Sequence, residues 1–196
     1  MKKNPYSKGA FLYAALISTI FLFFACDSET KQASNKIVAS DRNDELFENN
    51  KSENEAEFLI KAAEINLKEI HFGQLAQQKG SATHVKELGK MMEDAHTKSQ
   101  AALTELAKSK EVTIPSAPSS EANDAYSKLN EISGNEFDKA YADQMVKGHE
   151  EAIETFEEAS ENSKDKDVRN WANATLPELR NHLQHAKESQ NKFENM

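Results

Sequence analysis

The stretch FDKAYADQMVKGHEEAIETF, residues 137–156, decides how this chain folds. Phe137, Tyr141, Met145, Ala152 and Phe156 recur at helical spacing, so one face of a helix is apolar and the acidic remainder is solvated. One position in that register is polar: His149, four after Met145 and seven before Phe156. The same pattern repeats outward in both directions. Helix one is predicted from Glu55 to Lys79 through Phe58, Ala62, Ile65, Phe72 and Ala76. Gly80 suits its C-terminus and Ser81 the next N-cap. Helix two runs to Lys110 through Val85, Leu88, Met92, Leu103 and Leu106, and Pro115 and Pro118 end the pattern. Ser120 opens a short helix with Tyr126, Leu129 and Ile132, which Gly134 terminates. Helix three starts at Asn135, with Asp138 in its first turn where the helix dipole favours negative charge. Asp165 or Asp167 caps helix four, which carries Val168, Trp171, Leu176, Leu179, Leu183 and Ala186, with Pro177 predicted to kink it. No strand-like alternation occurs. The fold class is all-α: an antiparallel four-helix bundle over residues 55–190, a short extra helix in the helix 2–3 crossover, and a tail over 191–196.

The first 26 residues have a different composition. Lys2, Lys3 and Lys8 precede an apolar run ending Phe23-Phe24-Ala25-Cys26, and this is the chain's one cysteine. A positive start, a short apolar run and a small residue before the cleavage point describe a secretory signal. The run is shorter than the roughly 20 residues of a membrane-spanning helix. The expectation is a lipoprotein signal peptide over residues 1–25 with Cys26 as the lipidated first residue, although Phe23 and Phe24 are bulkier than usual at those positions. The partner would then be a bacterial envelope membrane, outer membrane or periplasm-facing, held through acyl chains at about 0.8 kcal/mol per buried CH2. Residues 26–54 are polar and acidic and read as a flexible tether whose ends lie roughly 25–30 Å apart.

Removing the leader takes three lysines away, and the net charge falls from −9 to −12. A nucleic-acid partner is excluded on that charge, because phosphate binding needs a basic face. A single cysteine excludes a disulfide scaffold. No Ser-His-Asp order, Gly-rich phosphate loop or Cys ligand pair is present, so no catalytic residues are assigned.

Each long helix carries a polar residue on its apolar stripe: Glu69, His96, His149 and His182. Measured from the turns near Gly80 and Ser163, they spread over roughly 12 Å of bundle height, with His96 and His149 nearest one level. Buried imidazoles and carboxylates are costly unless partnered. One reading is an internal hydrogen-bond network or a stripe edge that touches water, favoured because di-iron bundles need two Glu-x-x-His motifs and two further Glu. The other is a metal ion held by Glu69, His96, His149 and His182, with Glu93 added through Glu93-x-x-His96. His71, His84 and His185 read as surface residues, though His185 could join a site. Met91 and Met92 read as core.

From Glu57 to about Lys187 the chain resembles the bacterial "predicted outer membrane protein" family, domain of unknown function 4142. The likeness is carried by Glu69 with Gly73-Gln74-Leu75-Ala76, by Met91-Met92 through His96, and by Phe137-Asp138-Lys139-Ala140-Tyr141. It continues through Met145-Val146 to His149 and through Leu176-Pro177 to His182-Leu183. The resemblance implies a ferritin-like bundle, an envelope location and a stress-related role. The family usually has Asp immediately before the helix-two and helix-three histidines, where this chain has Ala95 and Gly148. The expected function is a lipid-anchored, non-enzymatic helical module for an unidentified protein or small ligand. The alternative is a metal-binding or redox bundle; a chaperone-like role has only location in its favour.

Overall fold

The computed structural model describes residues Asn50–Glu194. Residues 1–49, over which the signal peptide, the lipidated Cys26 and most of the tether are expected, lie outside the described residues. Five helices follow one another: α1 (Asn50–Lys79), α2 (Thr83–Ser109), α3 (Ser120–Glu131), α4 (Gly134–Asn162) and α5 (Lys166–Glu194), and among the described residues there is no strand. The all-α bundle is therefore observed. Helix α1 begins five residues before the expected Glu55, so the last part of the assigned tether is helical, and α5 takes in 191–194 of the assigned tail. No helix among the described residues is long and apolar enough to cross a membrane.

Helices α1 and α2 form one hairpin and α4 and α5 another. The hairpins stack so that α1 lies beside α4 and α2 beside α5, while α3 lies over α1 and α4. Contacts between ends fix the directions. Asp138, at the start of α4, accepts hydrogen bonds from the backbone N–H groups of Ser81 and Ala82, each 2.8 Å long. At the other end, Glu55 accepts one from the Lys164 N–H at 2.6 Å, and Lys110 binds Asp165 at 2.6 Å and Asp167 at 2.7 Å. The α1–α2 turn and the α4–α5 turn thus sit at opposite ends. The long crossover carries the chain from one end to the other, and every neighbouring pair of long helices is antiparallel.

Several termini differ from expectation for local reasons. Ser81 does not cap α2; Ala82 holds the N-cap position with no side-chain bond, and Asp138 from α4 satisfies the free N–H groups across the bundle. Ser119, not Ser120, caps α3 by accepting from the Ala122 N–H at 3.2 Å. Asp165 is the cap of α5, accepting from Asp167 N–H at 2.8 Å and Val168 N–H at 3.0 Å. Gly134 has φ +64° and lies at the start of α4. Pro177 lies inside an uninterrupted α5. At the end of α2, Glu111 N–H bonds Lys108 O and Val112 N–H bonds Ala107 O, a Schellman closure with Glu111 at φ 59° where glycine is usual.

Hairpin packing is closest where α1 meets α2. A Cβ added at Gly73 would stand 2.5 Å from the Gly89 carbonyl oxygen, and one at Gly89 would stand 2.7 Å from that of Gly73. Only glycine at both positions allows this approach.

The core is two clusters, not one. Phe58, Leu59, Leu103, Phe156, Leu176 and Leu179 form one, with Phe58 and Phe156 edge-to-face at 5.1 Å and Trp171 against both. Phe72, Val85, Met92, Phe137, Tyr141 and Met145 form the other. Between them lies a polar layer.

Candidate metal centre

The polar layer is built from one side chain or more on each long helix. Glu69 and Asn66 come from α1, His96 from α2, His149 from α4 and His182 from α5, and none is more than 3% exposed. The expected 12 Å spread in height disappears because it placed both turns at one end of the bundle. With the second hairpin reversed, the three histidines fall at one level. Their ring centroids are 5.6 Å (His96–His149), 5.4 Å (His96–His182) and 5.4 Å (His149–His182) apart. One ligand atom from each lies within 4.8 Å of the others.

Hydrogen bonds orient two of the rings. His149 Nδ1 lies 2.9 Å from the Met145 carbonyl oxygen, an obligate acceptor, so Nδ1 carries the proton and Nε2 a lone pair. His96 Nδ1 donates to Asn66 Oδ1 at 2.9 Å, and the Asn66 amide donates onward to Gln100 at 3.3 Å. That leaves His96 Nε2, His149 Nε2 and His182 Nδ1 buried without a hydrogen-bond partner among the described residues. The imidazoles are close neighbours that do not hydrogen-bond to one another. A native core rarely leaves three such atoms together, because each costs about 1–3 kcal/mol.

The electrostatics keep the ligand-competent form. Burial, followed by repulsion from His149 and His185, lowers His182 to about 4. Burial, with His149 and His182 nearby, holds His96 well below its ordinary value. Both rings are neutral at pH 7, which is the state that binds a metal. Burial raises Glu69, with His149 and Lys68 opposing the rise. Tyr141 is raised well above its usual range by burial and then by Glu69.

The donor set suits a transition metal. Metal–imidazole bonds of about 2.0–2.1 Å allow nitrogens up to about 4.2 Å apart, so modest ring rotations would close the three around one ion. Nitrogen donors of this kind fit zinc, copper, nickel or iron. The protonated Nδ1 atoms of His96 and His149 each rest on an acceptor, as the outer partners of metal-bound histidines do.

The remaining expected residues are placed elsewhere. Glu93 does not join the three histidines: Gln74 and Gln77 of α1 donate to its carboxylate at 2.8 and 2.6 Å, which also hold it below the usual carboxylate range. Glu69 lies near His149 but outside the histidine triad. His71 is half-buried, stacked on Tyr126 of α3 at 4.1 Å, and His84 packs on Phe193 at 5.2 Å, so neither is a plain surface residue. His185 faces Glu188 at 3.6 Å and stays outside the cluster. Asn66 and Tyr141 join the site without a sequence motif to mark them. Asn66 lay within reach of a sequence argument, standing three before Glu69 on the same face.

Residues 43–188 match the family described as Domain of unknown function (DUF4142). The chain belongs to that family. No curated protein and no solved structure matches it. The family match begins inside the segment assigned to the tether, which agrees with the early start of α1.

Proposed function

We propose that this member of the family is an envelope-anchored, metal-binding helical module that holds one divalent transition-metal ion inside the bundle. The observation that carries the reading is the convergence of three buried imidazoles whose inner nitrogens have no hydrogen-bond partner. A purely structural module would gain from apolar residues at these three positions, and this chain keeps imidazoles instead. His96, His149 and His182 are the ligands, and Asn66 and the Met145 carbonyl orient two of them. Glu93 is outside the centre. Lipidation at Cys26 would place the bundle at a bacterial membrane on its polar tether.

Metal analysis of the purified protein tests the binding. One equivalent of zinc or cobalt is expected after loading, and His96→Ala and His149→Ala each abolish it. A wild-type protein with no metal-dependent change in melting temperature and no bound metal would refute the centre. Cys26→Ser is expected to abolish acyl labelling and release the protein from the membrane fraction; an unlabelled variant that stays with the membrane would refute the anchor.

A further inference from the structure

The core clusters above and below the histidine layer close it along the bundle axis, with Leu103, Phe156 and Leu179 on one side and Met92, Met145 and Phe72 on the other. A hydrated cation cannot pass through such a core, because shedding its water against apolar side chains is prohibitively costly. Any route must run sideways between helices. A cleft of about 600 Å³ opens between α1, α3 and α4, and Glu69 and Gly148 are among the residues that line it. Glu69 is 2% exposed and its Oε2 has no hydrogen-bond partner, so the lining of the cleft includes a buried carboxylate oxygen without a partner. Gly148 directly precedes His149, and a Cβ at Gly148 would stand 3.1 Å from Glu69 Oε1. The carboxylate therefore reaches the backbone next to a histidine of the centre. Six glutamates and three lysines line the cleft, an excess of negative charge that concentrates cations at its mouth.

We propose that this cleft is the route by which a divalent cation reaches the three histidines, with Glu69 taking the ion from the mouth and passing it inward. The inference rests on the metal reading above. Small residues, Ala122, Ala125 and Ala152, line the passage beside the charged ones and leave room for a partly hydrated ion. The carboxylate replaces water ligands as they are lost, which lowers the cost of the step into the core. No bond other than metal–ligand bonds is made or broken.

Stopped-flow loading of the metal-free protein with Co²⁺ separates rate from endpoint. Glu69→Gln keeps the side-chain shape, and is expected to slow loading ~10-fold or more while one equivalent still binds. The exposed pair Glu121→Lys and Glu151→Lys, which does not touch the core, is expected to slow loading several-fold at low salt, with the difference lost at high salt. If the wild type binds no Co²⁺, the centre fails and the route with it. If the wild type binds but Glu69→Gln loads at the same rate, the route fails and the centre stands. If Glu69→Gln loses the endpoint, Glu69 is a permanent ligand and not a relay. Should that variant not fold, an unchanged rate in the exposed pair overturns the route.

Discussion

Replacing His149 with leucine should stabilise the metal-free protein and remove its response to metal. His149 Nε2 is buried without a partner, at a cost of about 1–3 kcal/mol. Leucine is close in size and faces the two apolar clusters on either side. The Met145 carbonyl loses only the imidazole bond and keeps its helical bond from the residue 149 N–H, so no new unsatisfied atom appears. A net gain of about 1–2 kcal/mol is expected, or roughly 3–6 °C in Tm for a domain of this size. In the wild type, free metal at a hundred times Kd adds about 2.7 kcal/mol, equivalent to roughly 6–10 °C. The order of stability should therefore invert: variant above wild type in chelator, wild type above variant in excess Zn²⁺. Thermal unfolding by circular dichroism in both conditions checks it. A variant less stable than wild type in chelator would mean that the imidazole is satisfied in the native core. A variant that kept the Zn²⁺ response would place the ion elsewhere.

Acid should destabilise the metal-free protein. His182 has a folded value of about 4 against 6.5 unfolded, so its contribution is intact above pH 6.5 and lost as the pH falls towards 4, about 3 kcal/mol in all. His96 acts in the same direction, and Glu69, whose value is raised, opposes them; urea unfolding that stays flat from pH 7 to 4.5 would contradict this balance. Asp138→Ala strips two bonds from the α2 N-terminus inside the protein and should cost about 3–5 kcal/mol, read as a lower urea midpoint; a loss under 1 kcal/mol would show that water replaces the cap. Glu111→Gly relieves a left-handed residue and should raise stability by about 1 kcal/mol in the same assay, whereas a loss would mean that its side chain is needed.

The helices were legible because Phe137, Tyr141, Met145 and Phe156, with their counterparts, repeat at a spacing that only a helix places on one face. The four inward polar positions followed from the same register, and all four are buried. Periodicity is blind to which end of the bundle a turn occupies, and that is why heights counted from Gly80 and Ser163 scattered the histidines. The reversal is set by the crossover and by Asp138 and Glu55 reaching turns 57 and 109 residues away. The Glu93-x-x-His96 spacing alone points to a shared ligand pair. On the folded helix Glu93 turns towards Gln74 and Gln77 of α1, 19 and 16 residues away in sequence, which local periodicity cannot connect to it. Helix ends were the least legible, since the cap of α2 comes from α4.

The polar layer also carries alignment information. Two helical hairpins with smooth apolar faces could slide past each other by a turn, about 5.4 Å, at little energetic loss. Here such a slip would part Glu69 and His96 of one hairpin from His149 and His182 of the other, and a metal ion shared by the three histidines would lose its coordination. Only one vertical setting brings them to a common height, much as a single buried asparagine fixes the register of a coiled coil. The same four residues that weaken the core therefore tell the two hairpins where to stop.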